Sequence, residues 1–213
     1  MKGVAQRHRF ATTARMTPDM ILALTIGYLL GSIPFGLLLA RIGGKGDLRK
    51  VGSGNIGATN VLRTGSRLLA ALTLILDCLK GTAAVVIAWR LFGEVAAIFA
   101  ATGALLGHIY PLWLKFRGGK GVATLLGILI GLQLWVAAAV YAAVWVLLLL
   151  TIRISSVAGI AAAASAPVTA AILGNSLLFP MLLGFALLII WKHRENILRL
   201  RRGTEPRIGR AKA

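Results

Sequence analysis

Residues 122–150 read VATLLGILIGLQLWVAAAVYAAVWVLLLL, 29 positions without one charged side chain. A helix needs only about 20 apolar residues to cross a bilayer. The run is therefore long for one crossing and short for two, and its reading decides the topology of the whole chain. Extended to residue 152, it is either one long tilted helix or a pair of short helices broken near Gly131-Leu132-Gln133. A pair leaves its members short of the usual minimum of about 17 residues.

Further apolar segments flank it, at 20–41, 68–92 and 95–114 before and at 157–173 and 177–191 after. Of the 213 residues, 58% are hydrophobic and 14% charged, with a mean hydropathy of +0.83. A soluble domain carries about a quarter charged residues. The fold expected is all-α, a polytopic membrane protein.

The cations decide how the long run divides. There are 24 Lys and Arg against six Asp and Glu, a net charge of +18. With six spans and the C-terminus inside, 14 cations fall inside and nine outside; with seven, 18 fall inside and five outside, Lys80 lying within a span. The positive-inside rule selects seven transmembrane helices, with the N-terminus outside and the C-terminus cytoplasmic. All dense polar clusters then face one compartment: 42–66, 115–121, the turn Arg153-Ile154-Ser155-Ser156 and the tail from Lys192.

Residues 1–15 hold four cations and no acid, without the apolar core of a signal peptide, and are expected to be an unstructured leader. Met16 or Met20 is an alternative start. Residues 16–205 read as one domain and 206–213 as a basic cytoplasmic tail. The single cysteine, Cys78, excludes an intrachain disulfide. The basic balance does not indicate nucleic acid, because the cations sit in short loops and no soluble basic module holds them.

Three clusters carry chemistry. In the first, Gly52, Gly54 and Gly57 allow positive φ and let successive amides meet one anion. Ser53, Asn55, Thr59 and Asn60 add neutral polar groups, and Arg63 adds a planar cation suited to phosphate. The second runs from Gly107-His108 through Pro111 to Phe116-Arg117-Gly118-Gly119-Lys120-Gly121-Val122-Ala123-Thr124. A lysine among glycines at the start of a helix is an anion site. It is not a nucleotide loop, since Gly121 follows the lysine where Ser or Thr is needed and residue 114 is leucine. The third holds His193 and Asn196, spaced to share a helix face, among cations from Lys192 to Arg202, with Glu205 behind them. Asp77 and Lys80, three residues apart within a span, read as a structural ion pair.

The six acids form no carboxylate cluster for Mg²⁺, so no metal and no cofactor are expected. No histidine is followed five residues later by aspartate, and no G-x-S-x-G elbow occurs. What remains is a cation-rich site at the lipid boundary, suited to a phosphate-bearing substrate with an apolar tail. The reading from another class is a transporter or flippase for an organic phosphate; its expected internal repeats are absent.

At these three motifs, and from Gly31-Ser32-Ile33-Pro34-Phe35-Gly36 to about Glu205, the chain closely resembles the bacterial acyl-phosphate-dependent glycerol-3-phosphate acyltransferases. The resemblance implies acyl transfer from a long-chain acyl phosphate to the sn-1 hydroxyl of glycerol 3-phosphate, at the cytoplasmic side of the bacterial inner membrane. It implies that Ser53 and Arg63 are needed for activity. It makes Gly118, Gly119, Lys120 and Gly121 the phosphate cradle and His193 with Asn196 a functional pair. Glu205 becomes a structural acid, and Ser156 the serine expected to join the site. The oligomeric state stays open, with a monomer as the working expectation.

Overall fold

The structure, a computed structural model, describes residues 16–209 and is all-helical. The leader expected at 1–15 and the last four residues lie outside the described residues. Ten α-helices follow in order among the described residues: α1 Pro18–Gly31, α2 Phe35–Ile42, α3 Ala58–Leu62, α4 Arg67–Phe92 and α5 Glu94–Ile109, then α6 Val122–Gly131, α7 Trp135–Thr151, α8 Ser155–Ile172, α9 Phe179–Lys192 and α10 Arg194–Arg201. Four helical segments are long and apolar enough to cross a membrane: 18–42, 67–92, 94–114 and 155–172. The apolar helices α6, α7 and α9 are shorter.

The run that opened the sequence reading is two helices. α6 stops at Gly131, Gln133 takes a left-handed φ of 58°, and α7 begins at Trp135. The segment expected as one span at 20–41 is also interrupted. Pro34 has no amide to give, and the chain breaks between α1 and α2. Carbonyls freed inside an apolar layer must find donors within the protein. Trp113 Nε1 donates to Ser32 O at 3.0 Å and Lys80 Nζ to Ile33 O at 2.8 Å. Lys80 also pairs with Asp77 at 2.6 Å, as expected of the two.

Small residues set the packing. Gly27 and Gly31 of α1 lie against the backbone of Ala100 and Ala104 on α5, while Gly103 and Gly107 of α5 lie against Leu24 and Tyr28. A Cβ at any of the four would overlap the facing backbone, so the two helices approach as closely as helices can. α4 and α6 meet the same way, through Gly127 on Cys78. The core between α4–α9 is filled by Leu105, Ile109, Leu125, Ile128, Leu182 and Ile189. Tyr141 on α7 joins this core and donates to Val122 O at 2.8 Å, tying α7 to the start of α6.

The polar clusters gather at one end. Residues 43–66 form a folded loop with a 3₁₀ turn at Leu48–Lys50 and the short α3. Ser155 and Ser156, expected in a turn, open α8 instead. Residues after α10 run back beneath it, and Ile208 N donates to Arg153 O at 2.7 Å, so packed chain continues past 205.

Candidate active site

Asn60 organises the first loop. It is 1% exposed; its Nδ2 donates to Leu48 O at 2.9 Å and to Val51 O at 3.0 Å, and its Oδ1 accepts from Ser53 N at 3.1 Å. Asn55 Oδ1 accepts from Gly57 N at 2.9 Å, a side-chain turn that leads into α3. Gly52 and Gly54 have φ of 57° and 67°, and a Cβ on Gly52 would crowd Asn60 Oδ1 and Arg63. These bonds present Ser53, Thr59 and Arg63 on one side. Ser53 Oγ is held only at 3.4 Å from Asn60 Oδ1, a weak tie that leaves the hydroxyl free to meet another partner.

The second loop departs from the cradle expected of it. Gly118 N donates to Ile109 O at 3.1 Å and Gly119 N to His108 O at 3.0 Å, so both amides are satisfied within the protein. Their missing side chains serve close packing, because a Cβ on Gly118 would enter the His108 carbonyl and one on Gly119 the imidazole. The anion-directed groups are the Lys120 ammonium and the start of α6 after Gly121, whose φ is 88°. Lys120, Gly121, Val122 and Ala123 all line a cavity there.

The third cluster closes around Glu205. Its Oε1 accepts from Asn196 Nδ2 at 2.6 Å and Ser156 Oγ at 2.8 Å, and its Oε2 from Arg199 Nε at 2.7 Å. Asn196 Oδ1 in turn accepts from Lys120 Nζ. Burial works to raise the Glu205 pKa, but the bonds from Asn196, Ser156 and Arg199 outweigh it and hold the carboxyl below its ordinary range. His193 sits at the junction of α9 and α10 rather than on one helix with Asn196. Its Nδ1 faces Ile189 O at 2.8 Å; a carbonyl only accepts, so Nδ1 carries the proton and Nε2 keeps a free lone pair. Burial, reinforced by the Lys120 charge, lowers its pKa to about 4. Burial also lowers Lys120, to about 8, against the pull of Glu205.

Two cavities meet at this point. One, of about 300 Å³, has walls from Ala70, Ala71 and Leu74 of α4 and Trp145 and Leu149 of α7, with Arg63, Ser156 and His193 on its polar side. The other, of about 360 Å³, is cationic, lined by Arg117, Lys192, Arg194 and Arg199 as well as Gly118. Ser53, Asn55, Lys120 and Asn196 line both. All three sequence clusters are thus brought to one wall. Trp145, Ile208 and Arg199 were not read as site residues, and Glu205 was read only as a structural acid; nothing in a basic helix end distinguishes the arginine that turns inward.

Helical spans around an apolar chamber joined to a cationic one describe a membrane protein built to handle an amphiphilic anion. Residues 21–203 match the family model for glycerol-3-phosphate acyltransferase. Glycerol-3-phosphate acyltransferases of Mesorhizobium japonicum and Nitrobacter winogradskyi are 54% and 55% identical over 194 and 195 residues, each match covering 91% of this chain and 98% of the relative. The crystal structure of PlsY (YgiH), an integral membrane glycerol 3-phosphate acyltransferase, in its glycerol 3-phosphate form is 40% identical with a TM-score of 0.84, covering 90% of this chain and 96% of that one. Its lysophosphatidic acid form is similar at 38% identity and a TM-score of 0.81. The chain belongs to the glycerol-3-phosphate acyltransferase family.

Proposed function

We propose that the chain transfers an acyl group from a long-chain acyl phosphate to the sn-1 hydroxyl of glycerol 3-phosphate, giving 1-acylglycerol 3-phosphate and phosphate. The observation that carries this reading is the wall of Ser53, Asn55, Lys120 and Asn196 shared by an apolar and a cationic cavity. An acyl chain fits the first and glycerol 3-phosphate the second, so the carbonyl and the hydroxyl meet between them. The reaction then needs mainly alignment, since phosphate is already a good leaving group.

In this scheme Lys120 binds the phosphate of glycerol 3-phosphate and Asn196 holds Lys120 in place. Arg63 holds the donor phosphate, and Ser53 and Thr59 donate to charge developing on the donor. The hydroxyl oxygen bonds to the acyl carbon, the bond from that carbon to the phosphate oxygen breaks, and the hydroxyl proton passes to the donor's own phosphate. His193, neutral at any pH well above about 4, accepts a hydrogen bond from the hydroxyl through Nε2 and orients it.

Replacing His193 with Gln tests that assignment. A general base contributes about 10²–10⁴-fold, whereas an orienting acceptor replaced by an amide oxygen, which also accepts, costs far less. The expected result is a loss of kcat under about tenfold with an unchanged pH profile at pH values well above about 4. A loss of about 10²-fold or more would instead make His193 the base.

Seven crossings, with the site facing the cytoplasm of a bacterial inner membrane, belong to the same reading. Gly121 and Val122 line the same cavity as Ser155 and Ser156, which supports an even number of crossings, α6 and α7, between them. The excess of cations on that face supports a cytoplasmic site. One domain over 16–205 and a single copy suffice, because the described residues of one chain line both cavities.

The decisive assay supplies labelled glycerol 3-phosphate to the protein in lipid with palmitoyl phosphate or palmitoyl-CoA, with and without EDTA. Lysophosphatidate from palmitoyl phosphate alone, unaffected by EDTA, is expected. Product from neither donor would overturn the enzyme reading, and flux into proteoliposomes would become the question.

A further inference from the structure

A buried polar node that the acyl-transfer scheme leaves unused lies against the Gly118-Gly119-Lys120 loop. Asp77, Lys80 and His108 are 4%, 5% and 5% exposed. Besides pairing with Asp77, Lys80 Nζ donates to Ile33 O in the break between α1 and α2. His108 Nδ1 stands 3.8 Å from the same Asp77 oxygen and has no hydrogen-bond partner. Burying three ionisable groups in an apolar layer is costly, and structures that carry them use them.

The other side of His108 carries the loop. Its carbonyl accepts the Gly119 amide at 3.0 Å, and its Nε2 lies so close to Gly119 that no Cβ fits between them. The next residue is Lys120. Contacts therefore run from Ile33 through Lys80 to Asp77, and from His108 through Gly119 to the residue bearing the site's central ammonium. The two halves face each other across the 3.8 Å between Asp77 and His108 Nδ1, which is too long for a direct hydrogen bond.

We propose that Asp77 and Lys80 hold His108 as a platform that positions Lys120 for the phosphate of glycerol 3-phosphate, so that the three are positioning residues for that substrate. The inference rests on the reading that Lys120 meets that phosphate. Asp77 and His108 also line the cavity of about 300 Å³, so the node has its larger effect on glycerol 3-phosphate and a smaller one on the donor.

The test compares wild type, His108→Ala, His108→Gln and the double variant Asp77→Asn with Lys80→Met, all in lipid nanodiscs. Equilibrium dialysis with labelled glycerol 3-phosphate gives binding, and steady-state kinetics give both KM values. A misplacement near 1 Å costs up to about 10²-fold. His108→Ala is expected to weaken glycerol 3-phosphate binding and raise its KM about tenfold, with a clearly smaller change in the KM for palmitoyl phosphate. Glutamine, a neutral polar side chain that refills part of the space of the imidazole, is expected to restore part of the affinity. The double variant keeps no net charge in the node and also raises the KM for glycerol 3-phosphate.

A role confined to stability would lower the melting temperature and the yield but leave KM alone, since KM does not depend on how much enzyme is folded. Unchanged glycerol 3-phosphate affinity in the folded double variant, or a change only in the KM for palmitoyl phosphate, would overturn the inference, even if His108→Ala fails to fold. Binding by wild type that weakens in the variants, with no acylation by any of them, would sustain the positioning role and remove the acyltransferase reading. Absence of glycerol 3-phosphate binding by wild type would overturn both.

Discussion

Replacing Lys120 with alanine is expected to lower kcat/KM for glycerol 3-phosphate by about 10²–10³-fold, the usual cost of removing one preorganised donor from a water-poor site. The half-buried ammonium stands on the wall shared by the two cavities and donates to Asn196. Its removal takes away the substrate contact and also leaves Asn196 Oδ1 without its donor. Burial has brought the Lys120 pKa to about 8, so the group is mostly cationic at neutral pH and loses its proton as the pH rises through that value. The kcat/KM of the wild type should therefore hold below about pH 8 and fall above it. A guanidinium keeps its proton throughout this range. Lys120→Arg should accordingly lower activity but abolish the alkaline limb, and a limb that persists in the arginine variant would assign it to another group.

Replacing Glu205 with alanine should have the second large effect, on folding as well as on catalysis. One buried carboxylate accepts from Ser156, Asn196 and Arg199. Without it, three donors from α8 and α10 lose their partner together. Removing one member of a buried ion pair costs about 3–5 kcal/mol, which for a chain of this size is a drop of about 6–20 °C in Tm. Glutamine keeps the shape but forfeits the charge opposite Arg199, and an intermediate fall is expected. The sign with pH follows from the lowered carboxyl. Its contribution is complete at neutral pH and is lost on acidification only below the ordinary carboxylate range. A Tm for Glu205→Ala equal to wild type would show that the chain after α10 does not brace the site.

The sequence was most informative where polarity changed along an apolar run. Gln133 between Gly131 and Leu134 marked the break between α6 and α7, and the charge count then chose it. Pro34 carried a comparable signal, but hydropathy stays high across Ser32-Ile33-Pro34 and the break there went unread. Its donors, Lys80 and Trp113, are far away in sequence and became visible only in the fold. The three polar motifs, Gly52-Ser53-Gly54 through Arg63, Gly118-Gly119-Lys120-Gly121 and His193 with Asn196, were legible as clusters, and the fold brings them to one wall. Spacing could not say which way an amide points. Gly118 and Gly119 read as phosphate donors, yet their hydrogen bonds go to Ile109 and His108, which a linear pattern does not encode. His193 and Asn196 read as one helix face and face one cavity, although a helix ends between them.

The break between α1 and α2 also constrains how the protein is made. The Ser32 carbonyl is capped by Trp113, about eighty residues later, and the Ile33 carbonyl, which also accepts from Phe35 N, gains Lys80 about fifty residues later, a delay of several seconds at ribosomal speeds of about 5–20 residues per second. Until Trp113 emerges, the first span carries a Ser32 carbonyl without the donor that caps it in the fold, and lipid cannot supply one. That span cannot be released into the bilayer in its final shape as soon as it is synthesised. It must wait beside the insertion machinery, shielded by water or by protein, and leave in company with the helices that complete it.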